Sequence, residues 1–262
     1  MATSDGCRIA YRFDGPADKP VLLLSNSIGT DLTMWDPQIE KFTKHFRVLR
    51  YDSRGHGGSD VPGGSYSVDR LGRDVIELLD ALNISRAHFC GLSLGGMVGQ
   101  WLGIHAPERI DRLILCNTSA YLGPAEPFAG RIASVLKANR AETAEMFLRN
   151  WFPPNLLDAN GPMVTKARAM LLATDPQGFA GSYAAVRDMD LRRTIALISC
   201  PTLVIAGQYD TVTLASHSEL IAAAVPGAKL VTLPVVHLSN LESPDRLYAD
   251  NSRIFSLKIE SR

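Results

Sequence analysis

Along the first part of this chain, short apolar runs alternate with amphipathic stretches, and the alternation stops after Ser119. Cys7, Ile9, Tyr11 and Phe13 alternate with Arg8, Ala10 and Arg12, a period of two that predicts an edge strand with one wet face. Val21–Ser25 is apolar on both faces, as a central parallel strand is, and leads into the loop Asn26–Thr30. A helix is expected from Trp35 to about His45, then a strand over Arg47–Asp52 and a glycine-rich turn, Ser53–Ser59. Beyond Ser67 the apolar residues Leu71, Val75, Leu78, Leu79 and Leu82 recur at helical spacing, with Ser67 or Asp69 as the N-cap. Ala87–Cys90 reads as a buried strand, Gly91–Gly96 as a tight turn, and Met97, Val98, Trp101 and Leu102 as the face of a helix. Arg112–Thr118 is another buried strand. Strands alternating with helices in this way predict an α/β fold with a mostly parallel, doubly wound sheet.

From Tyr121 to about Thr194 no run resembles a central strand. Helical patterns rich in Ala, Arg, Met and Leu are broken at Pro124, Pro127, Pro153–Pro154, Pro162 and Pro176. The strand rhythm resumes at Pro201–Gly207 and Lys229–Leu233, and a closing helix is expected from Leu247 to about Leu257. The expected organisation is a core of residues 1–120 and 195–262 with a helical cap inserted at 121–194. There is no internal repeat.

Composition narrows the function classes. The 262 residues carry a formal net charge of +0 and no basic tract, which argues against a nucleic-acid partner. No apolar run approaches the ~18 residues needed to span a bilayer. The four cysteines form no Cys-x-x-Cys pair, and three lie in or beside apolar runs, as small buried hydrophobes do. With no charged and apolar leader at the N-terminus, the expectation is a reduced, cytoplasmic protein free to form a homo-oligomer.

The candidate chemistry starts at Gly91-x-Ser93-x-Gly95, a serine at the apex of a strand-to-helix turn. Such a nucleophile elbow lifts the hydroxyl clear of the sheet and aims it at a helix N-terminus, where negative charge is favoured. In an open parallel sheet the reactive groups gather where strands end. Asp210 follows the Thr202–Ala206 run and His237 follows Leu230–Leu233. The chain order Ser, Asp, His is that of a hydrolase triad, with His237 taking the Ser93 proton and Asp210 holding the imidazole tautomer. His56 is the one rival base, and Asp188, Asp190 and Asp245 are the alternative acids. An oxyanion hole needs two backbone N–H groups, for which Leu94 after the serine and Ile28 in the loop after Val21–Ser25 are the candidates. No His-x-x-x-His or clustered ligand set points to a metal, and the chemistry needs no cofactor.

These motifs resemble the α/β-hydrolase superfamily over nearly the whole chain. Asp52–Ser–Arg–Gly–His–Gly–Gly–Ser59 matches its D-x-R-G-H-G-x-S loop, and Gly91–Gly96 its elbow. Where many relatives carry His-Gly ahead of the oxyanion residue, this chain has Asn26–Ser27. The string Leu24–Asp31, then Met34–Gln38, resembles the 3-oxoadipate enol-lactonases of aromatic catabolism, as does Tyr183–Arg192. That resemblance implies hydrolysis of a small anionic lactone, 3-oxoadipate enol-lactone, through an acyl-enzyme and an enol leaving group. Such a substrate carries a free carboxylate that needs a cationic or hydrogen-bonding partner, and by their positions in the cap that would roof the site Trp151 is expected to shape the pocket and Arg187 to meet the charge. The same triad serves arylesterases, perhydrolases and carbon–carbon bond hydrolases, and a ligand-sensing receptor can retain it.

Overall fold

The buried strands of the sequence pattern assemble into one sheet. A computed structural model describes residues 1–247, so the closing helix expected beyond Leu247 lies outside the described residues. Among the described residues, seven strands run in the order β1-β3-β2-β4-β5-β6-β7. They are β1 (Tyr11–Asp14), β2 (Val21–Ser25), β3 (Arg47–Tyr51), β4 (Ala87–Leu92), β5 (Ile110–Cys116), β6 (Thr202–Gly207) and β7 (Lys229–Leu233). Only β1 is antiparallel to its neighbour, and every other pair is parallel. The central strands are apolar on both faces because both faces are covered: Leu22–Leu24, Phe89, Cys90 and Leu113–Cys116 are all fully buried.

The helices of the core are α1 (Asp36–Phe42), α2 (Val68–Ala81), α3 (Leu94–His105), α9 (Ala215–Ala224) and the short α10 (Ser239–Glu242). From β2 the chain moves outward to β3 on one side, and from β4 outward to β5 on the other. With right-handed crossovers this places α1 on one face and α2 and α3 on the other, and α2 and α3 do pack together. The reversal leaves a crevice between the carboxyl ends of β2 and β4, the usual place for a ligand in such sheets. Ser67 caps α2 by accepting from Arg70 N–H at 3.0 Å, and its apolar stripe faces inward.

Two segments depart from the sequence expectation. The alternating run from Cys7 pairs as a strand only from Tyr11, because the 52–60 loop takes up the earlier backbone. Asp60 accepts from Arg8 N–H, Ser59 Oγ accepts from Ala10 N–H, and Asp52 N–H donates to Ala10 O. The helix expected over 35–45 is a 3₁₀ turn at Leu32–Trp35, capped by Asp31, followed by α1. It stops at Phe42, where the Thr43 hydroxyl donates to Ile39 O.

Between β5 and β6 the described chain carries five helices and no strand: α4 (Glu126–Lys137), α5 (Arg140–Trp151), α6 (Pro154–Ala159), α7 (Pro162–Ala173) and α8 (Pro176–Asp188). Pairs α4–α8 and α5–α7 pack against each other. Phe128, Phe147, Phe179 and Tyr183 form a connected aromatic cluster among them.

The elbow leaves no room for side chains. A Cβ on Gly95 would stand 2.3 Å from Ser25 O, and one on Gly91 would stand 2.2 Å from Gly95 O. Both contacts are with backbone that cannot swing away. Gly95→Ala should therefore lower stability by at least ~2 kcal/mol in urea unfolding. Gly130→Ala, in α4 with nothing within 4 Å of its added methyl, should raise stability by about 0.5–1 kcal/mol.

Candidate active site

Ser93 sits between β4 and α3 at φ 57° and ψ −115°, a conformation that side chains rarely adopt. Its backbone is tied on both sides: the Ser93 N–H donates to Cys116 O at 2.9 Å, and the Thr118 hydroxyl donates to Ser93 O at 2.7 Å. The turn lifts Oγ toward His237, whose Nε2 lies 3.0 Å away. His237 Nδ1 lies 2.8 Å from Asp210 Oδ2. With Nδ1 donating to the carboxylate, Nε2 is left to accept from the serine hydroxyl, as proton abstraction requires. All three side chains are buried.

Asp210 is held by more than His237. Asn117 Nδ2 donates to Oδ2 at 3.0 Å and the Thr213 hydroxyl at 2.7 Å, while the Val212 and Thr213 N–H groups donate to Oδ1 at 2.8 and 3.0 Å. Burial pushes this carboxyl up, but the His237 imidazole and the hydrogen bonds outweigh it and hold it below its ordinary value. The histidine loop is fixed separately. Val236 O accepts from Asn117 Nδ2 at 3.0 Å, and Val236 N–H donates to Glu242 Oε2 at 2.8 Å. Asn117, Thr213 and Glu242 were not singled out from the sequence. Asn117 does lie at the end of a strand expected from the sequence, as Asp210 does, but an asparagine there matches no catalytic motif.

Opposite the triad, the Gly95 N–H donates to Asn26 O at 3.0 Å, locking the start of α3 to the loop after β2. Ile28 and Leu94 both line the cavity above Ser93. Among the described residues neither of their N–H groups has a partner, whereas Ser27, Gly29 and Thr30 have all spent theirs. Two free amides beside a buried serine can bind an oxyanion.

The cavity measures about 490 Å³ and its roof comes from the cap. Trp151 lines it, buried edge-on against Phe147 at 5.3 Å. Arg187 does not: it lies at the end of α8, half-exposed, with Nε and Nη2 on the neighbouring Asp188 carboxylate at 2.6 and 2.7 Å. The cationic group that does line the cavity is Arg131 of α4, its guanidinium 4.8 Å from the Phe128 ring centre. Arg131 forms no ion pair among the described residues, and no carboxylate stands among the residues lining the cavity. His217 also lines it, and burial pushes its imidazole below the ordinary value. His56, the rival base, is buried with Nε2 against the Gly29 N–H. No group of three or more metal-ligating side chains occurs among the described residues.

A family model described as alpha/beta hydrolase fold matches residues 20–244. The 3-oxoadipate enol-lactonase 2 of Acinetobacter baylyi is 39% identical over 242 residues, covering 92% of this chain and 91% of its own. The chain is an α/β hydrolase of the 3-oxoadipate enol-lactonase family. Two solved structures are similar over its whole length. An enol-lactonase from Burkholderia xenovorans is 37% identical with a TM-score of 0.95, covering 98% of this chain and 99% of its own. A hydrolase from Pseudomonas aeruginosa is 62% identical with a TM-score of 0.97, covering 98% and 97%.

Asp210 gives a pH-dependent prediction for this hydrolase. Because its folded pKa is depressed, its carboxylate stabilises the fold at neutral pH, and that contribution is lost as pH falls from about 4 through the lower folded value. The stability gap between wild type and Asp210→Asn in urea should be full at pH 7 and narrow below about pH 4. The same substitution should lower kcat by about 10⁴-fold, because the amide favours the wrong imidazole tautomer.

Proposed function

We propose that this hydrolase opens 3-oxoadipate enol-lactone to 3-oxoadipate, as a step in aromatic catabolism. The observation that carries the reading is Arg131, a cation without a carboxylate partner among the described residues, lining the same cavity as the Ser93 hydroxyl. A small ester that is itself an anion answers both ends of that cavity. The relatives named for the enol-lactone support the same substrate class.

In the reaction, Ser93 gives its proton to His237 Nε2 and attacks the lactone carbonyl, and the Ile28 and Leu94 N–H groups receive the oxyanion. The ring C–O bond then breaks, and His237 returns the proton to the departing enol oxygen. An enol leaves more readily than a simple alkoxide. It also stays tethered to the acyl group and so could close the ring again. Tautomerisation to the ketone removes that nucleophile and makes the opening one-way. Water, deprotonated by His237, then releases the free acid from Ser93. Throughout, Arg131 holds the spare carboxylate, and Trp151 limits the space around the ring. No step calls for a metal or cofactor.

The comparison that tests this is kcat/KM on the enol-lactone against phenyl acetate, a neutral ester of similar size. The lactone should be preferred by roughly 10- to 100-fold, since a hydrogen bond to a charged group contributes about 1.5–3 kcal/mol. A ratio near unity would mark a general arylesterase instead. Arg131→Met should raise KM for the lactone roughly 10- to 100-fold and leave phenyl acetate unchanged. Arg187→Met should alter neither, and Ser93→Ala should abolish turnover of both while the protein still folds.

A further inference from the structure

We propose that His56 is the positioning residue of the oxyanion hole, holding the loop after β2 so that the Ile28 N–H faces the cavity. The inference rests on the reading that Ser93 reacts through the Ile28 and Leu94 amides, and on no particular substrate.

His56 lies 2.9 Å from Gly29 N through its Nε2 and 3.2 Å from Arg54 O through its Nδ1. A backbone N–H only donates and a carbonyl only accepts, so the ring must carry its proton on Nδ1 and accept on Nε2. Its tautomer is fixed from both sides. Burial pushes the imidazole down to about 4, so the acceptor persists at neutral pH. The support beneath it is rigid: the Arg54 guanidinium meets Asp74 at 2.6 and 2.7 Å and Asp5 at 2.9 and 3.2 Å.

The bond from Gly29 fixes one of two peptide planes that flank Ile28. The plane before it carries the Ile28 N–H, and its carbonyl, Ser27 O, accepts from the Thr30 hydroxyl at 2.8 Å. The plane after it carries the Gly29 N–H, donated to His56. With both planes held, Ile28 cannot rotate its N–H away from the cavity. The other main-chain N–H bonds of this segment run from Ser27 to Met34 Sδ at 3.4 Å and from Thr30 to Ser27 O at 3.3 Å. His56 therefore supplies the shortest hydrogen bond to a main-chain N–H between Ser27 and Thr30. It touches neither Ser93 nor His237 and takes no part in proton transfer.

Two amide substitutions separate this role from packing. In His56→Gln the side-chain oxygen can reach the position of Nε2, whereas in His56→Asn the amide reaches only that of Nδ1. Both variants and Ser93→Ala would be assayed on 4-nitrophenyl acetate, with butylboronic acid as a tetrahedral inhibitor and thermal unfolding as the fold control. His56→Asn should lose about 10²-fold in kcat with KM changed less than about threefold, the loss expected for one oxyanion donor. Its inhibition by butylboronic acid should weaken by a similar factor, and His56→Gln should stay within about tenfold of wild type in both. The proposal is overturned if His56→Asn keeps kcat within about threefold of wild type, or if Gln and Asn lose equally. Turnover retained by Ser93→Ala would instead overturn the serine reading, and the role of His56 with it.

Discussion

Ser93 holds a positive φ, and the arrangement of the molecule around the site follows from keeping it there. A strained residue of this kind costs on the order of 1–3 kcal/mol and persists only where its surroundings over-determine it. Here the surroundings are β4, β5 and the loop after β2. The Ser93 N–H is spent on Cys116 O, its carbonyl receives the Thr118 hydroxyl, and Gly95 presses directly onto Ser25 and Asn26. The last contact has a second effect. Because the glycine lets the two backbones meet, the start of α3 and the Asn26–Thr30 loop become neighbours, and Leu94 and Ile28 come to line one cavity. The close approach that permits the strain also brings Ile28 and Leu94 to the cavity into which the hydroxyl is raised.

The charge at the site is balanced in the opposite way from that in the cavity. Asp210 is buried, which alone would drive it toward the neutral acid, yet it is ringed by donors and stays a carboxylate. In the proposed reaction, a buried anion satisfied in this way stabilises the imidazolium that would form on His237, without moving. Arg131 lines the cavity and forms no ion pair among the described residues. In the proposed function its counter-ion is the substrate carboxylate.

Much of this was legible in the sequence, for reasons that can be named. Ser93, Asp210 and His237 stand where strands end, and the carboxyl edge of a parallel sheet gathers such residues without any knowledge of side-chain contacts. Trp151 was placed by its position in the cap, and it lines the cavity. Arg187 was chosen on the same basis and lies elsewhere, paired with Asp188. The difference is rotational: a helix brings one side to the cavity, and five short helices broken by prolines give no pattern from which to read that side. Arg131 and Arg187 are both cap arginines, and only the packing of α4 against α8 separates them. Asn117 and Glu242 were missed because they act on the backbone and carboxylate that hold His237, a role without a motif.

The helices between β5 and β6 do more than roof the cavity, because they also reach the loop after β2 that carries Ile28. Phe179 of α8 meets the His56 ring edge-on at 6.3 Å, and a Cβ on Gly29 would stand 2.7 Å from Phe179 and 2.8 Å from Leu171. Gly29, at φ 75°, is thus pressed by the cap from one side and bonded to His56 on the other. Phe179 also stacks into the cluster with Phe147, which lines the substrate cavity beside Trp151. The cavity lining and the loop that carries Ile28 therefore share one aromatic cluster. A change in α5 or α8 that reshapes the pocket also pushes on the loop that carries Ile28. The helices between β5 and β6 are separate from the sheet in sequence and topology, but in the packing they meet the loop after β2 at Gly29 and His56.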